Sequence, residues 1–394
     1  MKLSQFNFKL PANQVALYPH KAKRVVKTAS GERTFEVTRR DESRLMVLHK
    51  KSEAIDMYKT DADGNVLKDA DGNPEFLQFK DIVKYFGEGD TFIFNDTKVF
   101  PARLYGTKEK TDAKIEVFLL RELNAEMRLW DVLVEPARKI RIGNKLFFDD
   151  VNEMVAEVID NTTSRGRTLR FLYDEDGNHD VFKRSLFALG EAPLPRYVID
   201  ARENHHATED DMDDFQCVFA REEGAVTAPA TGLHFSRELM KRMEIDGINK
   251  AYITLHCGLG NFHEIEVEDL TKHKMDSEQM HIDRDACELV NKTKMNGHHV
   301  CAIGTSVLKA TETAVGTDGL MKEFEGWTNK FIFPPYDFGL ADCMVANFYH
   351  PESTLLMSTA AFGGYELVME AYKKAVKNGY MFGCFGDSLL ILPD

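Results

Sequence analysis

Two hydrophobic rhythms divide this chain. From Asp90 to about Tyr173 the apolar positions come in short bursts that predict strands: Thr91–Phe94, Lys114–Leu120, Leu129–Val134, Asn144–Phe148, Met154–Ile159 and Thr168–Leu172. Turn residues such as Gly143-Asn144 and Arg165-Gly166 separate them, and no helical spacing intervenes, which predicts a small antiparallel barrel or sandwich. Beyond it the period changes. Arg237–Glu244, Asp283–Met295 and Tyr365–Lys377 carry helical spacing, and apolar strands such as Val300–Ile303 and Leu389–Leu392 lie between or after them. That alternation predicts an α/β domain. The expected architecture is an α/β main domain, 1–99 plus 178–394, with a small antiparallel β-barrel domain inserted at 100–177.

The duplicated Asp61-Ala-Asp-Gly-Asn65 and Asp69-Ala-Asp-Gly-Asn73 lack the terminal glutamate of a calcium loop and read as turns of a surface hairpin. Residues 203–216 carry six Asp/Glu, seven with Asp200, and read as an exposed acidic connection.

Composition narrows the classes. The chain has 394 residues, 43% hydrophobic and 29% charged, ordinary for a water-soluble fold of about two domains. No apolar run approaches a membrane span, and the N-terminus lacks the apolar core of a secretion signal, so a cytoplasmic protein is expected. Six scattered cysteines without a C-x-x-C pair read as reduced thiols, and no metal is expected. A net charge of −14 excludes a simple nucleic-acid-coating protein. Yet residues 1–50 hold eleven Lys/Arg against four Asp/Glu, a balance of +7 that includes Lys21, Lys23, Arg24, Lys27, Arg33, Arg39, Arg40 and Arg44. This stretch is either a solvated face or a footprint for a phosphate backbone.

The chemistry-bearing segments are Thr227-Ala-Pro-Ala-Thr-Gly-Leu-His-Phe235 and Leu255-His-Cys-Gly-Leu-Gly-Asn-Phe262. Each sets a histidine beside glycines, so a proton relay sits where backbone can approach a ligand closely. His234 and His256 are the candidate acid–base groups. Asp96, in Asn95-Asp-Thr97, is a third candidate, or else part of a turn that ends a strand. His205-His206 and His298-His299 have no carboxylate or cysteine at metal-ligand spacing and read as exposed loop histidines. Trp130 and Trp327 read as core more than as stacking platforms.

With these segments, the chain resembles the S-adenosylmethionine:tRNA ribosyltransferase-isomerase family of queuosine biosynthesis. The resemblance runs over most of the length, through Ser43-Arg-Leu-Met-Val-Leu48, Phe94-Asn-Asp-Thr-Lys-Val-Phe-Pro-Ala-Arg-Leu-Tyr-Gly106, Leu189-Gly-Glu-Ala-Pro-Leu-Pro195, both histidine loops, His273-Lys-Met-Asp-Ser-Glu278, Gly326-Trp-Thr328, Asn347-Phe348 and Gly386-Asp387. It implies an enzyme that moves the ribosyl unit of S-adenosylmethionine onto 7-aminomethyl-7-deazaguanine at the wobble position of tRNA. Epoxyqueuosine would form, and adenine and methionine would leave. S-adenosylmethionine is then a ribosyl-donating cosubstrate, tRNA the partner, and a monomer is expected. The substrate-binding residues implied are Asn95, Thr97, Lys98, Arg103, Thr231, Gly232, Gly258, Gly260, Lys274, Glu278, Lys309 and Asn347.

Several positions depart from the family pattern, among them Ala230-Thr231, where Thr-Ala is usual. Lys309 stands where an arginine is usual, Tyr349 follows Asn347-Phe348 where a histidine is usual, and Glu352 replaces a basic residue. Residues 21–40 and 57–78 look like insertions. A divergent paralogue acting on another amine-bearing acceptor, and a non-catalytic tRNA-binding protein, are the alternatives.

Overall fold

The computed structural model describes residues 1–28, 31–149, 154–172, 179–262 and 264–394. The chain divides into two compact units: Met1–Thr97 with Cys217–Glu222 and Ala228–Asp394, and Lys98–Gln216 with Glu223–Thr227.

Among the described residues, nine strands of the first unit form one sheet: β1 (Leu45–His49), β2 (Ile55–Asp56), β3 (Thr91–Asn95), β4 (Asn249–Leu255), β5 (Glu278–Ile282), β6 (Val300–Ile303), β7 (Phe324–Thr328), β8 (Cys343–Asn347) and β9 (Ser388–Leu392). Their spatial order is β7-β5-β4-β3-β6-β8-β9-β1-β2. The central β4, β3, β6 and β8 run parallel. β9 is antiparallel to β8, and β5 and β7 continue the sheet antiparallel at the far edge.

The central strands are near-continuous apolar runs because both faces are covered. Residues alternate between two cores. Met46, Leu48, Ile93, Ala302, Met344, Ala346, Leu389 and Ile391 face one. Leu45, Val47, Phe92, Phe94, Ile303, Val345 and Leu390 face the other. Helices α2 (Arg284–Met295), α3 (Thr305–Ala314), α4 (Thr354–Gly363) and α5 (Tyr365–Lys377) cover the first face, and α1 (Arg237–Ile245) packs on the second with the 3-10 turns of Phe79–Tyr85. Side chains fix several helix starts: Asp283 accepts from the Ala286 N–H at 2.8 Å and Ser236 from the Leu239 N–H at 3.0 Å.

The second unit contains a closed antiparallel barrel of six strands, in the order Lys145–Phe147, Val155–Asn161, Gly166–Leu172, Leu129–Glu135, Ala113–Asn124 and Arg103–Lys108. Leu104, Val117, Val132, Val134, Leu146, Val158 and Leu169 are fully or almost fully buried. This unit extends to Gln216, well past the boundary expected at 177. Phe182 of the helix His179–Leu189 packs on Phe171 and Trp130, with ring centroids 4.7 and 5.9 Å apart, and Arg196 reaches Glu116 at 2.8 Å.

The acidic connection is not wholly exposed. Asp211 is buried, and Arg202, equally buried, holds both its oxygens at 2.5 and 2.9 Å. The Asp61 and Asp69 carboxylates accept backbone N–H bonds within their own turns, from Asp63 and Asn65 and from Asp71 and Asn73, all at 2.9 Å. No described helix is long and apolar enough to cross a membrane.

Candidate active site

Segments far apart in sequence meet at one end of the nine-stranded sheet. The parallel strands end there at Asn95, Leu255, Ile303 and Asn347, while β9, β1 and β5 begin there at Ser388, Leu45 and Glu278. The family-like segments around 43–48, 94–98, 255–258, 274–278, 326–328, 347–348 and 386–387 therefore form a row across a single edge. Open α/β sheets bind ligands outside the carboxyl ends of their strands.

Asn95 locks the centre of this row. Its amide donates to the Leu255 carbonyl at 2.9 Å and accepts from the Leu255 N–H at 3.0 Å, so a side chain continues the β3–β4 ladder. It also accepts from the Thr97 N–H at 3.2 Å, the turn geometry expected of this segment. On the neighbouring strand Gly304, at φ +92°, turns β6 into α3 in a conformation that favours glycine.

Beside Asn95 opens a cleft of about 480 Å³ lined by Asp96, Arg221, Tyr252, Thr254, His256 and Gln279, with Glu222, His281, Asp283 and Glu325 around it. Four carboxylates face a single guanidinium, so the cleft favours a cationic guest. Asp96 is 3% exposed and fully engaged. Thr254 Oγ1 donates to one oxygen at 2.7 Å, and Arg221 Nη2 and Nε donate to the other at 2.7 and 3.1 Å. The Arg221 guanidinium lies 4.8 Å from the centre of the Tyr252 ring, and its bond to Asp96 raises its own pKa.

His256 lines the same cleft. Its backbone N–H donates to the Gln279 carbonyl at 2.9 Å, and its Nδ1 meets Thr97 Oγ1 at 2.8 Å. Thr97 Oγ1 also lies 3.4 Å from the Glu222 carbonyl. With the hydroxyl proton assigned to that carbonyl, Nδ1 is the donor to Thr97 and Nε2 carries the lone pair. Burial lowers the His256 pKa against the opposing pull of Asp96, Glu222 and Glu325, so the ring is neutral at pH 7.

His234 is placed differently from the sequence expectation. It is 4% exposed and is not among the described residues that line the cleft holding His256. Its Nδ1 meets Ser43 Oγ at 2.9 Å, its Nε2 meets Asn347 Oδ1 at 3.3 Å, and its ring stacks on Phe79 with centroids 4.8 Å apart. The Asn347 amide nitrogen donates to the Gly383 and Cys384 carbonyls, which fixes its oxygen toward His234. Burial pushes the His234 pKa down to about 4.

The remaining candidates divide between the two units. Glu278 and Lys309 form a buried ion pair at 2.6 Å, and the second Glu278 oxygen accepts from the Gly258 N–H at 2.9 Å. The glutamate thus ties the second histidine loop to α3. Lys274 is exposed on the irregular chain of residues 273–277. Thr231 is buried, 3.4 Å from the Tyr349 hydroxyl. Gly232 sits where a Cβ would lie 2.7 Å from Cys217 Sγ, and at Gly260 one would lie 2.9 Å from an Asp276 oxygen. Lys98 and Arg103 belong to the barrel unit, where Arg103 is buried, pairs with Glu116 and donates to the Leu194 carbonyl at 3.0 Å.

Of the basic N-terminal stretch, Arg24 is committed to Glu42 at 2.6 Å, while Lys21 and Lys23 are exposed; the side chains of Lys27 and Arg33 lie outside the described residues. His299 does have partners, contrary to expectation. Its Nδ1 lies 2.6 Å from Asp342 and beside Cys343, at the opposite end of the sheet, where the pair ties the starts of β6 and β8.

Arg221, Thr254, Gln279 and His281 were not apparent as site residues. Arg221 hides among acids. The signal for Gln279 and His281 was the polar–apolar alternation of Glu278-Gln-Met-His-Ile282, which marks a strand with one open face.

A family profile described as "Queuosine biosynthesis protein" matches residues 3–391. Full-length relatives named S-adenosylmethionine:tRNA ribosyltransferase-isomerase include those of Phocaeicola vulgatus, 61% identical over 100% of this chain and 99% of the relative, and of Chloroherpeton thalassium, 44% identical over 99% and 100%. Among solved structures, an S-adenosylmethionine tRNA ribosyltransferase from Thermotoga maritima matches over 98% of this chain and 100% of that one, at 29% identity and a TM-score of 0.50.

Proposed function

The chain belongs to the queuosine biosynthesis protein family, and we propose that it catalyses the transfer and isomerisation of the ribosyl moiety of S-adenosylmethionine onto 7-aminomethyl-7-deazaguanine in tRNA, with release of adenine and methionine. The carrying observation is the full-length similarity to relatives of that name, combined with the meeting of the family-like segments at one end of the nine-stranded sheet, where Asp96 and His256 line an acidic cleft.

The reaction requires protons to leave the carbon beside the sulfonium and the aminomethyl ammonium. A neutral base in a partly dehydrated site supports both steps. His256 is that base: its Nδ1 is anchored on Thr97 and its Nε2 is the acceptor. Asp96 supplies fixed negative charge against the cationic reactants, held in place by Thr254 and Arg221. Asn95, Glu278 and Lys309 position the loops that carry these groups. His234, with both ring nitrogens engaged, is a structural bridge between Ser43 and Asn347.

The departures from the family pattern fit this reading. Lys309 keeps the positive charge and satisfies Glu278, Tyr349 packs against Thr231, and Glu352 accepts from the Asn7 amide at 2.9 Å. The protein is a cytoplasmic monomer in this reading.

The test is incubation with S-adenosylmethionine and tRNA bearing the aminomethyl base. Adenine and methionine are expected in equal amounts, and only with the modified tRNA. Release of S-adenosylhomocysteine would refute the assignment, and adenine release with a different acceptor would favour a paralogue.

A further inference from the structure

The open face of β4, β5 and β7 carries a pattern that the reaction does not explain. Thr254 pairs with His281, and His281 with Glu325. One step along, the His256 N–H bonds the Gln279 carbonyl, and Gln279 pairs with Trp327. Side chains two apart on a strand share a face, so these are adjacent rows on one surface: Thr254–His281–Glu325 and His256–Gln279–Trp327. All of these except Trp327 line the cleft, and Trp327 shares a strand face with one lining residue, Glu325, and pairs with another, Gln279.

Trp327 is 50% exposed, not the core residue that its type suggests. It lies on β7, the outermost strand of the sheet at this edge among the described residues. Its direct cross-strand neighbour is the exposed amide of Gln279. At the usual strand separation, two steps across the sheet bring His256 within about 10 Å of Trp327.

We propose that Trp327 is the stacking platform for the amine-bearing nucleobase of the tRNA substrate. The inference rests on the function proposed above and assigns one reactant to this face. The base lies on the indole, the Gln279 amide meets its hydrogen-bonding edge, and its ammonium points along the row toward His256. Single-stranded RNA bases are commonly held by exposed aromatics in this way. Charge supports the choice. The cleft, with four carboxylates against one guanidinium, suits a cationic aminomethyl group and disfavours a nitrile or an unmodified guanine at the same position. Position supports it too. A platform on the outermost strand admits a base while its phosphates stay away from the acids.

The shared chemistry is a nucleobase, and the adenine of S-adenosylmethionine is the competing source. The test uses the full chain as wild type, Trp327→Ala and Trp327→Phe, with an anticodon stem-loop RNA carrying 7-aminomethyl-7-deazaguanine. Trp327→Ala should raise the Kd for this RNA about 5- to 150-fold, as loss of one stacked base does. Trp327→Phe should lose less, and the KM for S-adenosylmethionine should stay within about twofold. Tryptophan emission should fall when the RNA binds wild type and stay constant in Trp327→Phe, where buried Trp130 alone reports. An unchanged Kd in Trp327→Ala overturns the proposal, as does quenching by S-adenosylmethionine alone. Wild-type adenine release is measured in parallel. Its absence would remove the reaction reading, whereas RNA binding judges the platform.

Discussion

Acidification should destabilise this protein through His234, which the proposed mechanism leaves outside the chemistry. In the fold the ring is neutral, with a pKa pushed down to about 4 by burial. In the unfolded chain it titrates at about 6.5. The folded pKa is the lower one, so the unfolded chain binds the proton more tightly. Above about 6.5 the contribution to stability is complete; it declines as pH falls and is exhausted once pH passes through about 4. A gap of roughly 2.5 pH units corresponds to about 3 kcal/mol at most. At about 2 °C per kcal/mol for a unit of this size, the midpoint should fall by about 6 °C from this group alone. Many carboxylates titrate in the same window, so the measurement is a comparison. Thermal melts of wild type and His234→Gln are recorded from pH 7.5 to 4.5, with adenine release measured on each preparation. The variant should melt earlier at pH 7.5, the gap should close as pH falls, and folded variant should still turn over. Parallel pH curves would refute the buried neutral ring. Lost turnover at an unchanged midpoint would return His234 to the chemistry.

His256→Ala should lower turnover roughly 10²- to 10⁴-fold with little change in midpoint, measured as single-turnover rate beside a melt. Because the His256 pKa is depressed, the wild-type rate should hold at neutral pH and fall on the acid side below about 6.5, a limb absent from His256→Ala. Lys309→Met should cost about 3–5 kcal/mol in urea unfolding by leaving Glu278 buried and unpaired, whereas Lys309→Arg should retain most of the stability. Replacing Lys21 and Lys23 with alanine should reduce the salt slope of tRNA binding by about 1 per phosphate contact removed, and an unchanged slope would mark the stretch as a solvated face.

Much of the fold was legible because its signals are local. The strand Leu129–Val134 alternates buried and part-buried positions and was placed to within a residue, and Tyr365–Lys377 is the helix its spacing predicts. The barrel boundary was misplaced because the helix beyond residue 178 reads as part of an alternating α/β pattern, while its phenylalanine packs against barrel aromatics. Asp96 and His256, both named from motifs, line one cleft, and Glu278 joins Gly258 to Lys309. What pattern could not supply was the partner. Glu278 pairs with Lys309, thirty-one residues on, a partner that no local spacing indicates. Six acids in 203–216 suggested solvent, but one of them is neutralised by a buried arginine just upstream. His234 and His256 look alike in sequence, and only packing by Phe79 and Asn347 separates them.

The Asp96–Arg221 pair has a topological consequence. Asp96 is the penultimate residue before the chain leaves the sheet unit, and Arg221 lies in the stretch where it first returns. Besides the side-chain bonds, the Asp96 carbonyl accepts from the Arg221 and Glu222 N–H groups at 2.8 and 3.2 Å. These contacts knot the two ends of an excursion of about 120 residues, whose closure costs roughly 4 kcal/mol in chain entropy against about 1.5 for a five-residue hairpin. The fastening therefore lets a whole domain be carried as though it were a loop.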